Sequence, residues 1–311
     1  MNTRNAIVDL SVCICTYKRP AQLQTLLEAI TRQERSGLRL EIVVADNDPA
    51  GSALGLLERL AKTLPIPLQS RHVTTPNIAL ARNATVHAAR GEWIVFVDDD
   101  EEPDPGWIAA LATTQRAHDA DAVFGPVLPR YRPETPGWLR NGGFFDRPRH
   151  PTGTRIGVGD TRTGNVLVRR SRLLELPGPF DEAYGRTGGS DTILFGQLLA
   201  RGAVLVWCDE AAVREDVPPE RATLRWLLQR SFRGGQSFVR GELQRLTGGA
   251  RLARSLHLGT RALLQLLIAA LLALACLPFS RVRAATWLRT TAAQLGKLSS
   301  LAGHRYQEYR H

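Results

Sequence analysis

The stretch ALARNATVHAARGEWIVFVDDDEEP, residues 79–103, decides the fold of this 311-residue chain. It predicts a helix over residues 78–89, ended at Gly91, and then a continuous apolar strand over residues 92–97. Carboxylates fill the positions directly after that strand. A helix that leads into a fully buried strand is typical of α/β proteins, in which helices cover both faces of a mostly parallel sheet.

The same alternation of strand and helix continues on both sides of this stretch. Apolar runs predict further strands over residues 10–15, 41–45, 67–72, 164–168 and 203–207. Amphipathic patterns predict helices over residues 20–33, 53–64, 105–117 and 192–201. Residues 129–163 are rich in Pro, Gly and Arg, which predicts long loops. We therefore expect a Rossmann-like α/β domain that binds its ligand where the parallel strands end.

The basic charge of the chain is confined to its C-terminal part. The net charge is +10, but residues 1–219 carry 25 Lys+Arg against 27 Asp+Glu, whereas residues 220–311 carry 15 against 3. Only helical patterns remain there: a basic helix over 221–246 broken around Gly234–Gly235, an apolar helix over 256–277 and an amphipathic helix over 286–301. We therefore predict two domains, residues 1–219 and a helical extension at residues 220–311.

The composition excludes several classes of protein. With 43% hydrophobic and 23% charged residues the chain is too apolar to be disordered, and four cysteines cannot form a disulfide framework. The cysteines and histidines also lack the spacing of a metal site. Residues 1–9 are polar and lack the apolar stretch of a signal peptide, so we expect the start of the chain to remain cytoplasmic.

The carboxylate cluster at residues 98–102, DDDEE, suggests a divalent cation. Carboxylates crowded at a strand end repel one another, and Mg²⁺ or Mn²⁺ relieves that repulsion and also ligates phosphates. The alternative is an acidic loop that caps the next helix. Polar residues that follow the other predicted strands, or lie on the neighbouring helix, favour a ligand site because they would meet at one sheet edge: Thr16–Arg19, Asp46–Asp48 and Arg82–Asn83.

Four segments of the chain resemble family 2 of the inverting glycosyltransferases, and in particular bacterial enzymes of succinoglycan-type exopolysaccharide biosynthesis. They are CTYKRP (15–20), VVADN (43–47), the stretch at 79–103 and GRTGGSDTILFGQLLARG (185–202). The resemblance implies the GT-A fold and transfer of a sugar from a nucleotide donor, expected to be a UDP-sugar, to a hydroxyl of a lipid-linked glycan. It also implies a single displacement that inverts the anomeric centre.

The resemblance implies roles for individual residues as well. Asp98 and Asp100 match the ends of an Asp-x-Asp motif, with Asp98 near the nucleotide ribose and Asp100 on the metal, Mg²⁺ or Mn²⁺. Asp191 matches the base that deprotonates the acceptor hydroxyl. The other matches are candidate donor contacts: Thr16, Arg82 and Asp99 in the nucleotide pocket, Asp46 at the nucleotide base, and Arg230 and Arg233 at the diphosphate.

The implied chemistry has a physical basis in these residues. The leaving diphosphate needs positive charge, which a metal on Asp100 supplies, and the incoming hydroxyl needs a base, which Asp191 supplies. The first turn of a helix favours the ionised form of Asp191, although capping that helix is its alternative role. Ser190 replaces the Glu that usually precedes this Asp. A catalytically inactive module that binds sugar nucleotides or polysaccharides is therefore the alternative function.

The apolar segment 262–279 has arginines on both sides. The 16 residues before Pro278 would form a helix of roughly 24 Å, shorter than the roughly 30 Å hydrocarbon core of a bilayer. We expect this helix on or in the cytoplasmic face of the inner membrane, with a buried helix or a true span as alternatives. Nucleic acid is not expected as a partner, because regularly spaced stacking aromatics and a helix-turn-helix pattern are missing.

Overall fold

The computed structural model describes residues 8–35, 37–185, 188–243 and 246–304. Within these ranges the chain forms two compact units. The first unit holds the described residues up to Arg130 together with Asp146–Asp216, and the second holds Tyr131–Phe145 together with the described residues from Val217 onward. The boundary at residue 217 lies close to the predicted one after residue 219, whereas the sequence pattern assigns Tyr131–Phe145 to the first domain.

Among the described residues, six strands of the first unit lie in the predicted apolar runs, whereas four short strands, at residues 101–103, 122–124, 127–130 and 213–216, were not predicted. In chain order they are β1 (Leu10–Thr16), β2 (Leu40–Asp46), β3 (Leu68–His72), β4 (Trp93–Phe96), β5 (Glu101–Pro103), β6 (Ala122–Phe124), β7 (Val127–Arg130), β8 (Val166–Arg169), β9 (Leu205–Trp207) and β10 (Val213–Asp216). A large sheet has the order β3-β2-β1-β4-β8-β6-β9, and a small sheet has the order β5-β10-β7.

The large sheet is mostly parallel, as predicted. β1 pairs in parallel with β2 and with β4, β2 pairs with β3, and β6 pairs with β9. β8 is the exception, because it runs antiparallel to both β4 and β6. An apolar run predicts a strand but not its direction, so the sequence pattern could not distinguish β8 from its parallel neighbours.

Helices cover both faces of the large sheet. In chain order the helices are α1 (Pro20–Thr31), α2 (Leu54–Thr63), α3 (Ile78–Ala88), α4 (Trp107–His118), α5 (Gly137–Arg140), α6 (Arg170–Leu174), α7 (Ser190–Ala200), α8 (Leu224–Leu243), α9 (Gly248–Cys276) and α10 (Arg281–Leu301). Val12 and Ile14 of β1 pack in one apolar cluster with residues of α1, α2 and α4. Cys13, between them, packs in a second cluster with residues of α3, α6 and α7. This alternation explains why β1 is apolar at almost every position.

The second unit is helical and contains α5, α8, α9 and α10. Aromatic side chains attach Tyr131–Phe145 to it, because Phe145 stacks on Trp226 with 5.4 Å between the ring centroids. Leu139 and Phe144 also share an apolar cluster with Leu227. The Pro, Gly and Arg content of Tyr131–Phe145 predicts a loop. The structure shows that residues distant in sequence hold this segment in place.

The predicted break of the basic helix at Gly234–Gly235 is wrong, since α8 is continuous from Leu224 to Leu243. A Cβ atom at Gly235 would lie 2.0 Å from the carbonyl oxygen of Ala293, and one at Gly296 would lie 1.9 Å from that of Phe232. Neither distance is possible for a real side chain. These glycines let α8 and α10 approach closely, which a reading of glycine as a helix breaker could not detect.

α9 begins earlier than predicted, at Gly248, because the basic residues before the apolar segment continue the helix. Its 29 residues give a length of about 43 Å. Among the described residues it is the one helix that is long and apolar enough to cross a membrane by length and composition. Only 22% of the most apolar 18-residue segment of this helix is buried inside the protein.

Candidate functional site

The acidic turn Asp98–Asp100 lies where β4 ends, next to the end of β1. β1 pairs with β4 up to the pair Cys13 and Phe96, so the residues that follow on both strands emerge at the same edge. The hydroxyl of Thr16 donates a hydrogen bond to Oδ2 of Asp99 over 2.7 Å. The structure therefore brings together two of the strand ends that the sequence predicts to converge.

Arg19, directly before α1, is the counter-ion of this turn. Its Nη1 lies 3.0 Å from Oδ1 of Asp99 and 2.6 Å from Oδ2 of Asp100. Pro20 occupies the first position of α1, where its fixed backbone angle suits a helix start. Arg19 therefore has a defined backbone position from which its side chain spans both carboxylates.

Negative charge is crowded at the turn despite Arg19. Burial raises the pKa of Asp99 to about 6, although the hydrogen bond from Thr16 and the charge of Arg19 lower it. Partial desolvation also raises the pKa of Asp98, even though 47% of its side chain is exposed; Arg82 acts in the opposite direction and Asp100 adds to the increase. The turn would therefore gain stability from a further positive charge.

Arg82 extends the same cluster from α3. Its Nη2 lies 3.7 Å from Oδ1 of Asp98, and its guanidinium lies over the ring of Phe180 at 5.5 Å from the centroid. The side chain of Arg82 is only 14% exposed. The ring and the carboxylate together hold this arginine at the edge of the acidic turn.

Glu101 and Gly164 also support the turn; the sequence interpretation noted Glu101 only as a member of the carboxylate cluster and assigned no role to Gly164. Oε2 of Glu101 accepts a hydrogen bond from the backbone N–H of Asp98 over 2.9 Å. Burial, reinforced by Asp98, raises the pKa of Glu101 well above its ordinary value. Gly164 leaves room for these groups, because a Cβ atom there would lie 2.8 Å from both the Asp98 and the Glu101 carboxylates.

Asn165, next to Gly164, is also a positioning residue that the sequence did not reveal. Its φ angle of 141° lies in a region that non-glycine residues rarely adopt. Its side chain accepts a hydrogen bond from Trp107 Nε1 and donates to the carbonyl oxygens of Pro126 and Ala211. These three bonds hold the unusual backbone that presents Gly164 to the acidic turn. The one feature of the sequence that could have indicated this role is an asparagine at the start of a predicted strand.

Asp46, the predicted contact for the nucleotide base, is fully buried at the end of β2. Its Oδ1 accepts a hydrogen bond from the N–H of Asp48, and its Oδ2 accepts one from the N–H of Ala53. In this structure Asp46 shapes the loop before α2 and exposes no oxygen to a ligand. Thr16 is likewise buried and acts on Asp99. Direct nucleotide contact by either residue stays a prediction.

Asp191 lies in the first turn of α7, as predicted. Gly188 and Gly189, with φ angles of 78° and 101°, form the turn that leads into this helix. Oδ1 of Asp191 accepts a hydrogen bond from the N–H of Thr192, and Asp191 interacts electrostatically with Arg162. Asp191 is partly exposed, and within the part of the chain that the structure describes only its Oδ1 accepts a hydrogen bond.

Arg230 and Arg233, the candidate diphosphate contacts, lie on α8 in the second unit. The guanidinium of Arg230 lies over the ring of Trp226 at 5.1 Å from the centroid. Their role in diphosphate binding stays a prediction.

The exposed carboxylates of the turn fit a divalent metal. The side chains of Asp98 and Asp100 are 47% and 25% exposed, whereas that of Asp99 between them is 7% exposed. Among the described residues no group of three His, Cys, Asp or Glu side chains forms a metal site. Mg²⁺ is commonly held by one or two carboxylates together with substrate phosphates, and a turn with two outward carboxylates matches that arrangement.

Comparisons with known proteins agree with this geometry. The family model described as Glycosyl transferase family 2 matches residues 11–174. The chain is 37% identical over 241 residues to the succinoglycan biosynthesis protein ExoM of Rhizobium meliloti (strain 1021), and the match covers 76% of each chain. The resemblance stated from the sequence is confirmed.

Solved structures confirm the fold. The mannosyltransferase PcManGT from Pyrobaculum calidifontis, in complex with GDP-Man and Mn²⁺, superposes with a TM-score of 0.64 at 19% identity, over 96% of this chain and 89% of its own. TarS 1-349 from S. aureus, in complex with UDP-GlcNAc, gives a TM-score of 0.54 at 17% identity, over 96% and 93%. The predicted α/β GT-A fold is therefore correct.

Proposed function

The chain belongs to glycosyl transferase family 2, and on that premise we propose that it transfers a sugar from a UDP-sugar to a hydroxyl of a lipid-linked glycan. The relative ExoM acts in succinoglycan biosynthesis by its name, which supports a place in exopolysaccharide biosynthesis. The reaction proposed is a single displacement with inversion and without a covalent intermediate on the enzyme.

The observation that carries the proposal is the pattern of exposure in the acidic turn. Asp99 is buried and bonded to Thr16 and Arg19, while Asp98 and Asp100 on either side of it keep exposed oxygens. A buried central carboxylate anchors the turn, and the two outer ones face the space at the strand ends. That is where an α/β sheet binds its ligand.

Asp100 is the residue proposed to hold Mg²⁺ or Mn²⁺, with Asp98 beside it near the nucleotide ribose. When bound, the ion neutralises the diphosphate leaving group. Arg19 orients Asp100 beforehand, because its Nη1 lies 2.6 Å from the carboxylate. Arg82 fixes the second carboxylate, Asp98, from the other side. The carboxylates are thereby arranged before the donor arrives, which lowers the cost of ordering them on binding.

Asp191 is proposed as the base that accepts the proton of the acceptor hydroxyl. It lies in the first turn of α7 and is partly exposed, so its carboxylate is accessible to an acceptor hydroxyl. A hydroxyl that attacks from the side opposite to the leaving diphosphate would invert the anomeric centre. The glycine turn before α7 supports this role, since Gly188 and Gly189 carry no side chain that would obstruct an acceptor.

The acceptor is proposed to be lipid-linked and the enzyme to work at the cytoplasmic face of the inner membrane. The exposed apolar face of α9 and the excess of arginine in residues 220–311 support this location. An enzyme held at the membrane meets a lipid-linked substrate in two dimensions rather than three. Nucleic acid has no part in the proposal.

The proposal is tested with the purified chain, Mn²⁺ and a panel of UDP- and GDP-sugars, by measuring release of free nucleoside diphosphate. We expect one UDP-sugar to give the fastest release, EDTA to abolish it and a lipid-linked acceptor to increase it. The anomeric configuration of the product, determined by NMR, should be inverted. Binding of sugar nucleotides without turnover under all these conditions would instead identify an inactive binding module.

A further inference from the structure

Small and large apolar side chains lie on opposite faces of α9. The buried residues repeat with helical spacing and are mostly small: Leu258, Ala262, Ala269 and Ala273. α10 packs along α9, and Leu258 shares an apolar cluster with Leu301 at the end of α10. Small side chains at such a contact allow two helices to approach closely.

The opposite face of α9 forms a continuous apolar stripe. Its central side chains are 48% to 67% exposed: Leu263, Leu264, Leu267, Ile268, Leu271 and Leu274. Leu256 and Leu277, also exposed, extend the stripe to a length of about 32 Å. A helix of a water-soluble protein places its large apolar side chains inward. In α9 the large apolar side chains are exposed instead, which indicates that they contact another apolar surface.

The charge around the apolar stripe favours lipid over a second copy of this chain. Arginines lie near both ends of the stripe: Arg251, Arg254 and Arg261 on one side, Arg281 and Arg283 on the other. Residues 220–311 carry 15 Lys+Arg against 3 Asp+Glu, a net charge of +12. Two copies joined through the stripe would repel each other, whereas an anionic lipid surface attracts each arginine and strengthens binding by about fivefold per charge before screening.

The packing of α10 determines how α9 can enter such a membrane. The two helices form a hairpin, because only a short turn separates Cys276 from Arg281. If α9 crossed the bilayer, it would carry the charges of α10 into the hydrocarbon with it, among them Arg289 and Lys297. Each arginine or lysine taken to the bilayer centre lowers the insertion constant by roughly 100-fold.

We infer that α9 lies in the plane of an anionic membrane, with the apolar stripe immersed at the level of the upper acyl chains and without crossing the bilayer. This inference rests on the membrane location proposed above and adds the orientation of the helix. In-plane helices of this kind bury their apolar face about 5–10 Å into the boundary between headgroups and acyl chains.

Depth measurements test the orientation in the full-length chain. The four native cysteines are changed to alanine, and single cysteines are placed in the stripe as Leu256→Cys, Leu267→Cys and Leu277→Cys and labelled with an environment-sensitive fluorophore. Quenching by lipids brominated at different depths is then measured in vesicles of phosphatidylethanolamine with phosphatidylglycerol. We expect the same shallow depth for all three labels. A central label at Leu267 that is deepest, with shallow labels at both ends, would show a crossing helix and overturn the inference.

Charge substitution tests whether the stripe itself binds lipid. Leu267→Glu should weaken binding to these vesicles by about 10- to 100-fold, because a large apolar side chain leaves the lipid and a negative charge replaces it. Leu174→Glu is the matched control, since Leu174 is an exposed leucine in the first unit. Circular dichroism establishes that both variants keep their helices, and the depth profile of the intact chain supplies an answer if Leu267→Glu misfolds.

The outcomes separate the inference from the proposed function. Equal vesicle binding by Leu267→Glu and Leu174→Glu overturns the stripe as the lipid contact. The wild-type chain could also fail to bind the phosphatidylglycerol vesicles and form dimers through the stripe. That result overturns both the orientation and the membrane location. Release of nucleoside diphosphate from a UDP-sugar is measured in detergent, where it does not depend on the stripe. If the wild-type chain gives no release under these conditions, the result counts against the proposed transfer reaction alone.

Discussion

Replacing Gly164 by alanine should slow sugar transfer by about tenfold while leaving the fold in place. The added Cβ atom would lie 2.8 Å from Oδ2 of Asp98 and 2.8 Å from Oε1 of Glu101. Ordinary contact begins at 3.4 Å, so the two carboxylates must retreat by roughly 0.6 Å. Because a misplacement of about 1 Å can lower a rate about 100-fold, a shift of this size corresponds to roughly a tenfold loss.

The fold should tolerate the same substitution. Oδ2 of Asp98 is the end of a side chain that is 47% exposed, so it can move outward without disturbing the core. We expect the free energy of unfolding to fall by about 1 kcal/mol, at the lower end of the range for an overpacked site. The measurements are kcat/KM for the UDP-sugar, from release of nucleoside diphosphate, and the melting temperature of each variant.

Gly157 offers a matched control in the same unit. A Cβ atom at Gly157 would meet no atom within 4 Å, and its φ of −96° suits alanine. Gly157→Ala should therefore leave both kcat/KM and the melting temperature close to the wild-type values. An unchanged kcat/KM in Gly164→Ala, or an equal loss in both variants, would refute the argument that Gly164 sets the position of the acidic turn.

Three further substitutions and one control test the metal site, the base and the contact between α8 and α10. Asp100→Ala should reduce turnover to the level of wild type in EDTA without lowering the melting temperature, and full metal-dependent activity in this variant would contradict the proposed metal site. Asp191→Asn should lower kcat by about 100-fold or more while donor binding, followed by calorimetry, is retained; near-normal turnover would leave helix capping as the better account. Gly235→Ala should lower the free energy of unfolding of the second unit by about 1–3 kcal/mol, because its Cβ would lie 2.0 Å from the carbonyl oxygen of Ala293. Gly234→Ala, which meets no atom within 4 Å, should instead raise it by about 0.5–1 kcal/mol, and equal effects in urea unfolding would contradict the close helix contact.

Local sequence pattern predicted the acidic turn of the candidate site but not the residues that contact it from distant parts of the chain. The turn Asp98–Asp100 follows from an apolar strand that ends in carboxylates, whereas the roles that the resemblance implies for Asp98 and Asp100 stay predictions. Arg19 was noted at its strand end but was not assigned to the turn. Its two partners lie 80 and 81 residues further along the chain, and no local pattern connects residues at that distance.

For Asp46, the sequence predicted the position at a strand end but not the direction in which the side chain faces. A polar residue at a strand end was expected to face the ligand, but the backbone N–H groups of Asp48 and Ala53 occupy both of its oxygens. The loop turns back over the carboxylate because buried N–H groups need acceptors. Whether a strand-end residue faces outward or caps its own loop depends on the path of that loop.

The sequence by itself determined six strands of the first unit and the five helices α1, α2, α3, α4 and α7, that the sheet is mostly parallel and that carboxylates lie at its edge. It also indicated the family, because residues 79–103 and three further segments resemble that family. These properties depend on the order of apolar and polar side chains over a few residues. Only the tertiary structure decided the reversed direction of β8, the pairing of Arg19 with Asp100, the close contact at Gly235 and the outward face of α9. Each of these depends on which distant segments pack together, since neither the direction of a strand nor the exposed face of an apolar helix is defined until its neighbours are in place.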